Sequence, residues 1–94
     1  MNIEHLKLFV RIASTANISL AGRELNISPA VASAHIGKFE DTLGVRVIHR
    51  TTRKVSLTDE GKQFLPHAQE VLDSIETAQA AVGSGAQTPQ GTLR

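Results

Sequence analysis

The sequence predicts a mainly α-helical chain in which three short helices precede a β-hairpin and a long fourth helix follows it. Apolar residues recur at spacings of three and four along residues 3–43 and again along 59–82, which is typical of amphipathic helices. Between these stretches, residues 45–58 change to the alternating, β-branched pattern of a hairpin. With 94 residues, of which 40% are hydrophobic and 20% charged, the chain has the size of one small domain with a limited core.

The composition restricts the classes of function. There is no cysteine, which excludes disulfides and thiolate metal sites. The charged, amphipathic start of the chain is unlike a signal peptide or a membrane span, so we expect a cytoplasmic protein without a membrane partner. Residues 1–57 carry eight Lys and Arg against four Asp and Glu, a net charge of +4, whereas residues 58–94 carry two against five, a net charge of −3. The basic first part is expected to meet a polyanion.

The first two helices form the base of the predicted fold. The first is expected from Ile3 to about Ser14. Its apolar residues are Leu6, Phe9, Val10 and Ala13. The segment TAN then breaks the pattern, and Ser19 is the predicted cap of a short second helix. The residues expected to face inward from this second helix are Leu20, Ala21 and Leu25.

The third helix, predicted over residues 28–43, has the clearest boundaries. Ser28 can cap its first free amides, Pro29 suits its first turn, and Gly44 can take the left-handed conformation after its end. Its apolar stripe is Ala32, Ile36, Phe39 and Leu43. The residues then predicted to point outward are Ala30, Ala34, Gly37, Lys38 and Asp41. Most of these side chains are very small, which favours a close approach to the major groove of DNA or, as the alternative, to another protein helix.

The second and third helices are joined by the short segment NIS, which is the pattern of a helix-turn-helix. The hairpin follows directly after it and is the predicted wing. The tip of this predicted wing carries three basic residues and two hydroxyl donors, namely Arg50, Arg53, Lys54, Thr51 and Thr52. No Asp or Glu lies between Gly44 and Thr58. Such a single-signed run favours contact with phosphates, and a solvated loop is the alternative.

The fourth helix is predicted to begin after Thr58 as its cap, with Asp59 and Glu60 in the first turn, where the helix dipole favours acids. Its apolar seam is Leu65, Ala68, Leu72, Ile75, Gln79 and Val82, widened by Phe64, Val71 and Ala78. An apolar seam this long on so small a domain predicts that a helix of a partner chain covers it. Packing of the seam against the first helix is the alternative, and the two contacts can coexist on different sides of the fourth helix. The predicted organisation is a winged helix-turn-helix over 1–58, a linker and dimerisation helix over 59–82, and a flexible hinge over 83–94.

Catalysis has little support in the sequence. The four histidines lie on separate predicted elements without metal-ligand spacing, and there is no Gly-rich phosphate loop. Ser33 and His35 are two residues apart on a helix and do not face each other. We therefore expect no catalytic residue, no metal and no cofactor. The competing function is a dimerising protein-interaction module whose basic loop is incidental.

Several stretches, in the same order, resemble the N-terminal DNA-binding domain of LysR-type transcriptional regulators. They are LKLFVRIAST, LAGRELNIS, KFEDTLGVRVIHRT and VSLTDEGKQFLP, and the closing QGTLR resembles the run into that family's effector-binding domain. The resemblance implies a bacterial regulator that binds double-stranded promoter DNA at an interrupted inverted repeat and responds to a small-molecule inducer through a domain absent from this chain. It also implies a homodimer through the linker helix, with either a dimer or a dimer of dimers as the full-length protein, and it allows RNA polymerase as a further partner.

In this family the third helix enters the major groove and the wing touches the flanking backbone or minor groove. Carried onto this chain, the resemblance gives as DNA-binding residues Ser28, Pro29, Ala30, Ser33, Ala34, His35, Arg50, Thr51, Thr52 and Arg53, and the candidate set is completed by Ser19, Lys38 and Lys54. The candidate dimerisation residues are Leu65, Ala68, Leu72, Ile75 and Val82. The family usually has Gln and Pro after the capping serine and Arg after the next serine, so Pro29, Ala30 and Ala34 leave two common base readers missing.

Overall fold

The computed structural model describes residues 1–50 and 55–84. Its elements, in chain order, are α1 (Ile3–Thr15), α2 (Ile18–Glu24), α3 (Pro29–Leu43), β1 (Ile48–Arg50), β2 (Val55–Leu57) and α4 (Asp59–Gln79), which runs on into a π-helical turn, Ala80–Ser84. The predicted fold class, three helices with a wing and a long following helix, is confirmed. The predicted wing-tip residues Thr51, Thr52, Arg53 and Lys54 lie outside the described residues, as does most of the predicted hinge. Within the described ranges, no helix is long and apolar enough to cross a membrane.

Three aromatic rings form the centre of the core and join three helices. Phe9 of α1, Phe39 of α3 and Phe64 of α4 contact one another with ring centroids 5.5, 5.9 and 5.8 Å apart, a separation typical of favourable aromatic pairs. The remaining apolar side chains of the core are Leu6, Leu8, Ile12, Ala21, Ala32, Ile36, Val47, Ile48 and Ala68. The first helix, the helix-turn-helix and the start of the long helix thus share one core.

The start of α2 differs from the prediction. Asn17, not Ser19, is the cap: its Oδ1 accepts a hydrogen bond of 2.9 Å from the Leu20 amide, and Ser19 lies inside the helix. Asn and Ser cap helices about equally well, so composition alone does not choose between them. The inward positions are Ile18, Ala21, Gly22 and Leu25. Leu20 consequently lies on the outer side and is exposed, which makes its predicted inward placement wrong.

The boundaries of α3 agree with the prediction. The Ser28 hydroxyl accepts from the Val31 amide at 3.2 Å, and Pro29 follows in the first turn. Gly44 ends the helix with φ of 78°, a left-handed conformation that favours glycine. Ala32, Ile36 and Phe39 are buried, so the predicted apolar stripe faces the core.

The wing is a two-stranded antiparallel ribbon in which Ile48 pairs with Leu57 and Arg50 with Val55. Thr58 joins the base of this ribbon to α4. Its hydroxyl accepts from the Gly61 amide at 2.9 Å as the predicted cap, and it donates to the Arg46 carbonyl at 2.7 Å. The wing and the long helix are therefore fixed to each other through one buried side chain.

The seam of α4 divides between two sides of the helix. Ala68 is completely buried in the chain's own core, and Leu65 and Leu72 are half-buried against that core. Ala68 cannot contact a partner subunit, and its assignment to the dimerisation set is wrong. The physical reason is that this side packs against α1, the alternative that the sequence left open. Val71 and Val82, on the other hand, are exposed.

Candidate nucleic-acid interface

The outer face of α3 is as small as the sequence predicted. Ala30, Ala34, Lys38 and Asp41 are exposed, and Gly37 is half-buried. A Cβ atom added to Gly37 would meet nothing within 4 Å, so no neighbour within the described chain requires a glycine there. A glycine in the middle of a helix nevertheless costs about 1 kcal/mol relative to alanine. We call Ala30, Ala34 and Gly37 the small face.

Two contacts fix the angle between α3 and the wing. Near the outer end, the guanidinium of Arg50 donates from Nη1 to the Ser33 hydroxyl at 2.9 Å and from Nη2 to the Ser33 carbonyl at 3.4 Å. Near the base, the Glu40 carboxylate accepts from the amides of Val47 at 2.9 Å and Ile48 at 3.1 Å. Ser33 and Glu40 lie two turns apart on the same side of the helix, so the ribbon is held at two points along α3.

A groove of about 1080 Å³ lies between α3 and the wing. Its lining includes Ser33 and Gly37 from the helix and Arg46, His49 and Arg50 from the wing side. The groove thus brings together the predicted residues Ser33 and Arg50 with a further cation, Arg46, and with the imidazole ring of His49. Arg46 and His49 are exposed and were missed by sequence reasoning, although both fall in the acid-free stretch that preceded the predicted tip.

Glu40 was also missed. A carboxylate on a predicted helix resembles an ordinary solvated side chain, and the sequence carries no signal that it would bind two backbone amides. The structure gives it a positioning role, because its oxygen satisfies amides at the start of β1.

Most of the predicted DNA-binding residues that the structure describes lie on the surface. Side chains exposed to solvent belong to Ser19, Ser28, Pro29, Ala30, Ala34, Lys38 and Arg50. The Ser28 hydroxyl is engaged in capping α3, so its described role is structural. Ser33 is half-buried and contacts Arg50.

His35 lies between α3 and α1 rather than on the small face. Its ring packs against that of His5 with centroids 4.7 Å apart, and its Nδ1 atom is buried without a hydrogen-bond partner among the described residues. That nitrogen cannot reach a base edge. Burial, followed by the positive charges of His35, Lys38 and the N-terminus, lowers the pKa of His5 below the usual 6.5.

The arrangement of the helix-turn-helix, the two-stranded wing and their connecting contacts defines a winged helix-turn-helix domain. A sequence model described as "Bacterial regulatory helix-turn-helix protein, lysR family" matches residues 3–62. The chain belongs to this family, and the family resemblance found in the sequence is confirmed.

Several relatives that match the chain are named as transcriptional regulators, and matching solved structures include DNA-binding domains in complex with DNA. The HTH-type transcriptional regulator DmlR of Escherichia coli K12 is 36% identical over 92 residues, which cover 98% of this chain and 30% of that protein. The chain thus spans about a third of the length of such curated relatives. The CbnR DNA-binding domain, solved with DNA, has a TM-score of 0.84 and 27% identity over 92% of this chain and 99% of that one. The BenM DNA-binding domain on benA site 1 DNA has a TM-score of 0.82 and 26% identity over 89% of this chain and 98% of that one.

Proposed function

We propose that this chain is the sequence-specific, double-stranded DNA-binding domain of a bacterial LysR-type regulator, with helix 28–43 in the major groove and the wing on the flanking backbone or minor groove. The small face carries the proposal: it is uncharged over two helical turns, and Gly37 has open space beside it. Two of the matched structures are complexes with DNA, which supports the same function. Relatives named as transcriptional regulators support a regulatory rather than a catalytic role.

Small side chains allow the backbone of α3 to enter the major groove deeply. An alanine there can contact a thymine methyl group, whereas it offers no hydrogen bond to a base edge. Direct hydrogen-bond readout is therefore sparse on this face. We expect the shape and flexibility of AT-rich DNA to contribute more to operator choice than usual.

Affinity comes from cations beside the small face. Lys38 is exposed on α3, and Arg50 is exposed at the end of β1. The tip residues Arg53 and Lys54 add to them as predictions from the sequence. Phosphate contacts of this kind position the protein without reading sequence.

The proposed functional unit is a homodimer formed through the outer side of α4. Val71 and Val82 are 46% and 78% exposed, an apolar surface that residues 1–50 and 55–84 do not cover, and Ile75 borders it. A two-fold dimer matches the interrupted inverted repeat that the family membership implies. A tetramer, an inducer and a contact with RNA polymerase belong to the full-length regulator in this proposal.

Binding-site selection from randomised duplexes, followed by titration at several salt concentrations, tests the proposal. We expect a symmetric interrupted site and a steep linear fall of log affinity with log salt. Arg50→Ala is expected to reduce that slope by about 1, the contribution of one phosphate contact. Salt-insensitive binding with no enriched site would favour the protein-interaction module instead.

A further inference from the structure

The contact between Ser33 and Arg50 links the helix of the small face to the wing across seventeen residues of sequence. Both residues are in the candidate DNA-binding set, but the contact makes them one unit rather than two separate readers. We propose that Ser33 is a positioning residue that acts through Arg50, holding its guanidinium in the groove so that the remaining N–H donors meet the DNA. This inference rests on the proposed function.

The geometry leaves Arg50 with donors to spare. A guanidinium carries five N–H donors in a rigid fork, and the two bonds to Ser33 use one from Nη1 and one from Nη2. No other acceptor among residues 1–50 and 55–84 takes a hydrogen bond from Arg50, which leaves three donors, including that of Nε, for phosphate oxygens or a base edge. Because Arg50 is the last residue of β1, those donors lie where the wing meets the groove beside α3.

The choice of partner preserves the charge of Arg50. Glu40 and Asp41 line the same groove, and a bond to either carboxylate would orient the guanidinium but neutralise it. The Glu40 carboxylate is instead engaged by the amides of Val47 and Ile48. Ser33 orients the side chain through a neutral hydroxyl and carbonyl, so these two bonds do not neutralise the guanidinium.

Preorganisation is the physical benefit of the contact. A free arginine side chain must lose rotamer freedom when it binds, at a cost that fixing it beforehand removes. The Ser33 hydroxyl accepts from Arg50, and serine is a weaker helix former than alanine in the interior of a helix. Helix stability therefore does not explain a serine at this position.

A double-mutant cycle tests the inference. We would measure affinity by fluorescence anisotropy for the duplex obtained by site selection and for a random-sequence duplex, using the 94-residue chain and its Ser33→Ala, Arg50→Ala and doubly substituted variants. Ser33→Ala is expected to weaken binding by about threefold to tenfold. In the Arg50→Ala background the same change is expected to have no further effect.

Controls separate positioning from folding. Ser14→Ala, at an exposed serine on α1, should leave affinity unchanged, and circular dichroism checks that each variant retains its helices. If Ser33→Ala fails to fold, Ser33→Thr and Ser33→Val provide a second pair that differs in a hydroxyl against a methyl group. Thr is expected to retain most of the affinity and Val to lose it.

The outcomes distinguish this inference from the proposed function. Equal losses for Ser33→Ala with and without Arg50 would mean that Ser33 contacts DNA by itself, and unchanged or tighter binding would mean that the bond breaks in the complex. Either result overturns the positioning role while leaving DNA binding intact. Failure of the unsubstituted chain to bind either duplex overturns the proposed function, and the inference with it.

Discussion

Gly37→Ala is expected to stabilise the chain while weakening its binding to DNA. The residue lies in the middle of α3, and a Cβ atom built there meets no atom of the described residues within 4 Å, so the methyl group clashes with none of them in the free protein. Replacing a mid-helix glycine by alanine stabilises a helix by about 1 kcal/mol. For a domain of this size, that corresponds to a rise in melting temperature of about 4–8 °C.

The loss in binding follows from the proposed position of the small face. If the α3 backbone lies against the duplex at Gly37, the added methyl group must displace the helix or the DNA. Overpacking of a close contact costs about 1–3 kcal/mol, a loss of about five- to 150-fold in affinity. The assay combines thermal unfolding by circular dichroism with anisotropy titration of the selected duplex.

The matched control is Gly61→Ala, the same chemical change on α4. There a Cβ atom would collide with the Val47 carbonyl oxygen, a backbone atom that cannot move without shifting the wing. This variant should be destabilised, the opposite of Gly37→Ala. A stabilised Gly37→Ala protein that binds the selected duplex as tightly as before would refute the placement of the small face against DNA.

Three further predictions concern the outer face, the pH response and the cap of α4. Ala34→Glu adds a long anion to an exposed position and should abolish duplex binding in anisotropy titrations while helical content persists. A loss of folding would instead show that this face is buried. Because the folded-state pKa of His5 is lowered below 6.5, its contribution to stability is present above that value and lost as the pH falls through the lowered pKa. Urea unfolding between about pH 7.5 and about pH 5 should show this loss, and His5→Gln should reduce it; an identical pH dependence in both proteins would contradict the assignment. Thr58→Ala should lower the free energy of unfolding by about 1–2 kcal/mol in the same assay, and Thr58→Ser should lower it much less. The reason is that the cap of α4 and the bond to the Arg46 carbonyl both need the hydroxyl. Equal losses in the two variants would show that the methyl group matters instead.

The predictable part of the fold depended on local chemistry. Ser28 and Gly44 mark the two ends of α3, because a capping hydroxyl and a left-handed glycine act on the helix to which they belong. The spacing of the apolar residues of α3 identifies its outward face. The start of α2 was predicted at the wrong residue because Ala16 adopts a left-handed conformation, with φ of 57°. Alanine rarely adopts this conformation, so the sequence does not indicate it. That turn places Asn17, rather than Ser19, at the cap.

The unpredicted part of the site depends on contacts between elements. A periodic seam on a long helix shows that one side is apolar, but it does not show whether α1 or a second subunit covers it, and so Ala68 was assigned to the wrong surface. The Glu40 carboxylate and the Ser33 hydroxyl likewise acquire their roles only when the wing folds back against α3. The sequence pattern indicates where Ser33 and Glu40 lie on α3, but it does not indicate which groups of the wing they contact.

These contacts divide the work of recognition between two elements. In the proposed complex the small face offers shape and methyl contacts without charge, whereas the phosphates are met by Lys38, beside that face on α3, and by the wing. If the wing could swing freely, its cations would bind any phosphate within reach, and backbone contacts would not report whether α3 fitted its groove. Because Ser33 and Glu40 fix the ribbon to the helix at two points, the wing can reach its phosphates only when α3 lies at a set depth and angle. The sequence-independent contacts are thereby made conditional on the fit of the small face, which allows a helix with few direct base contacts to discriminate between sites.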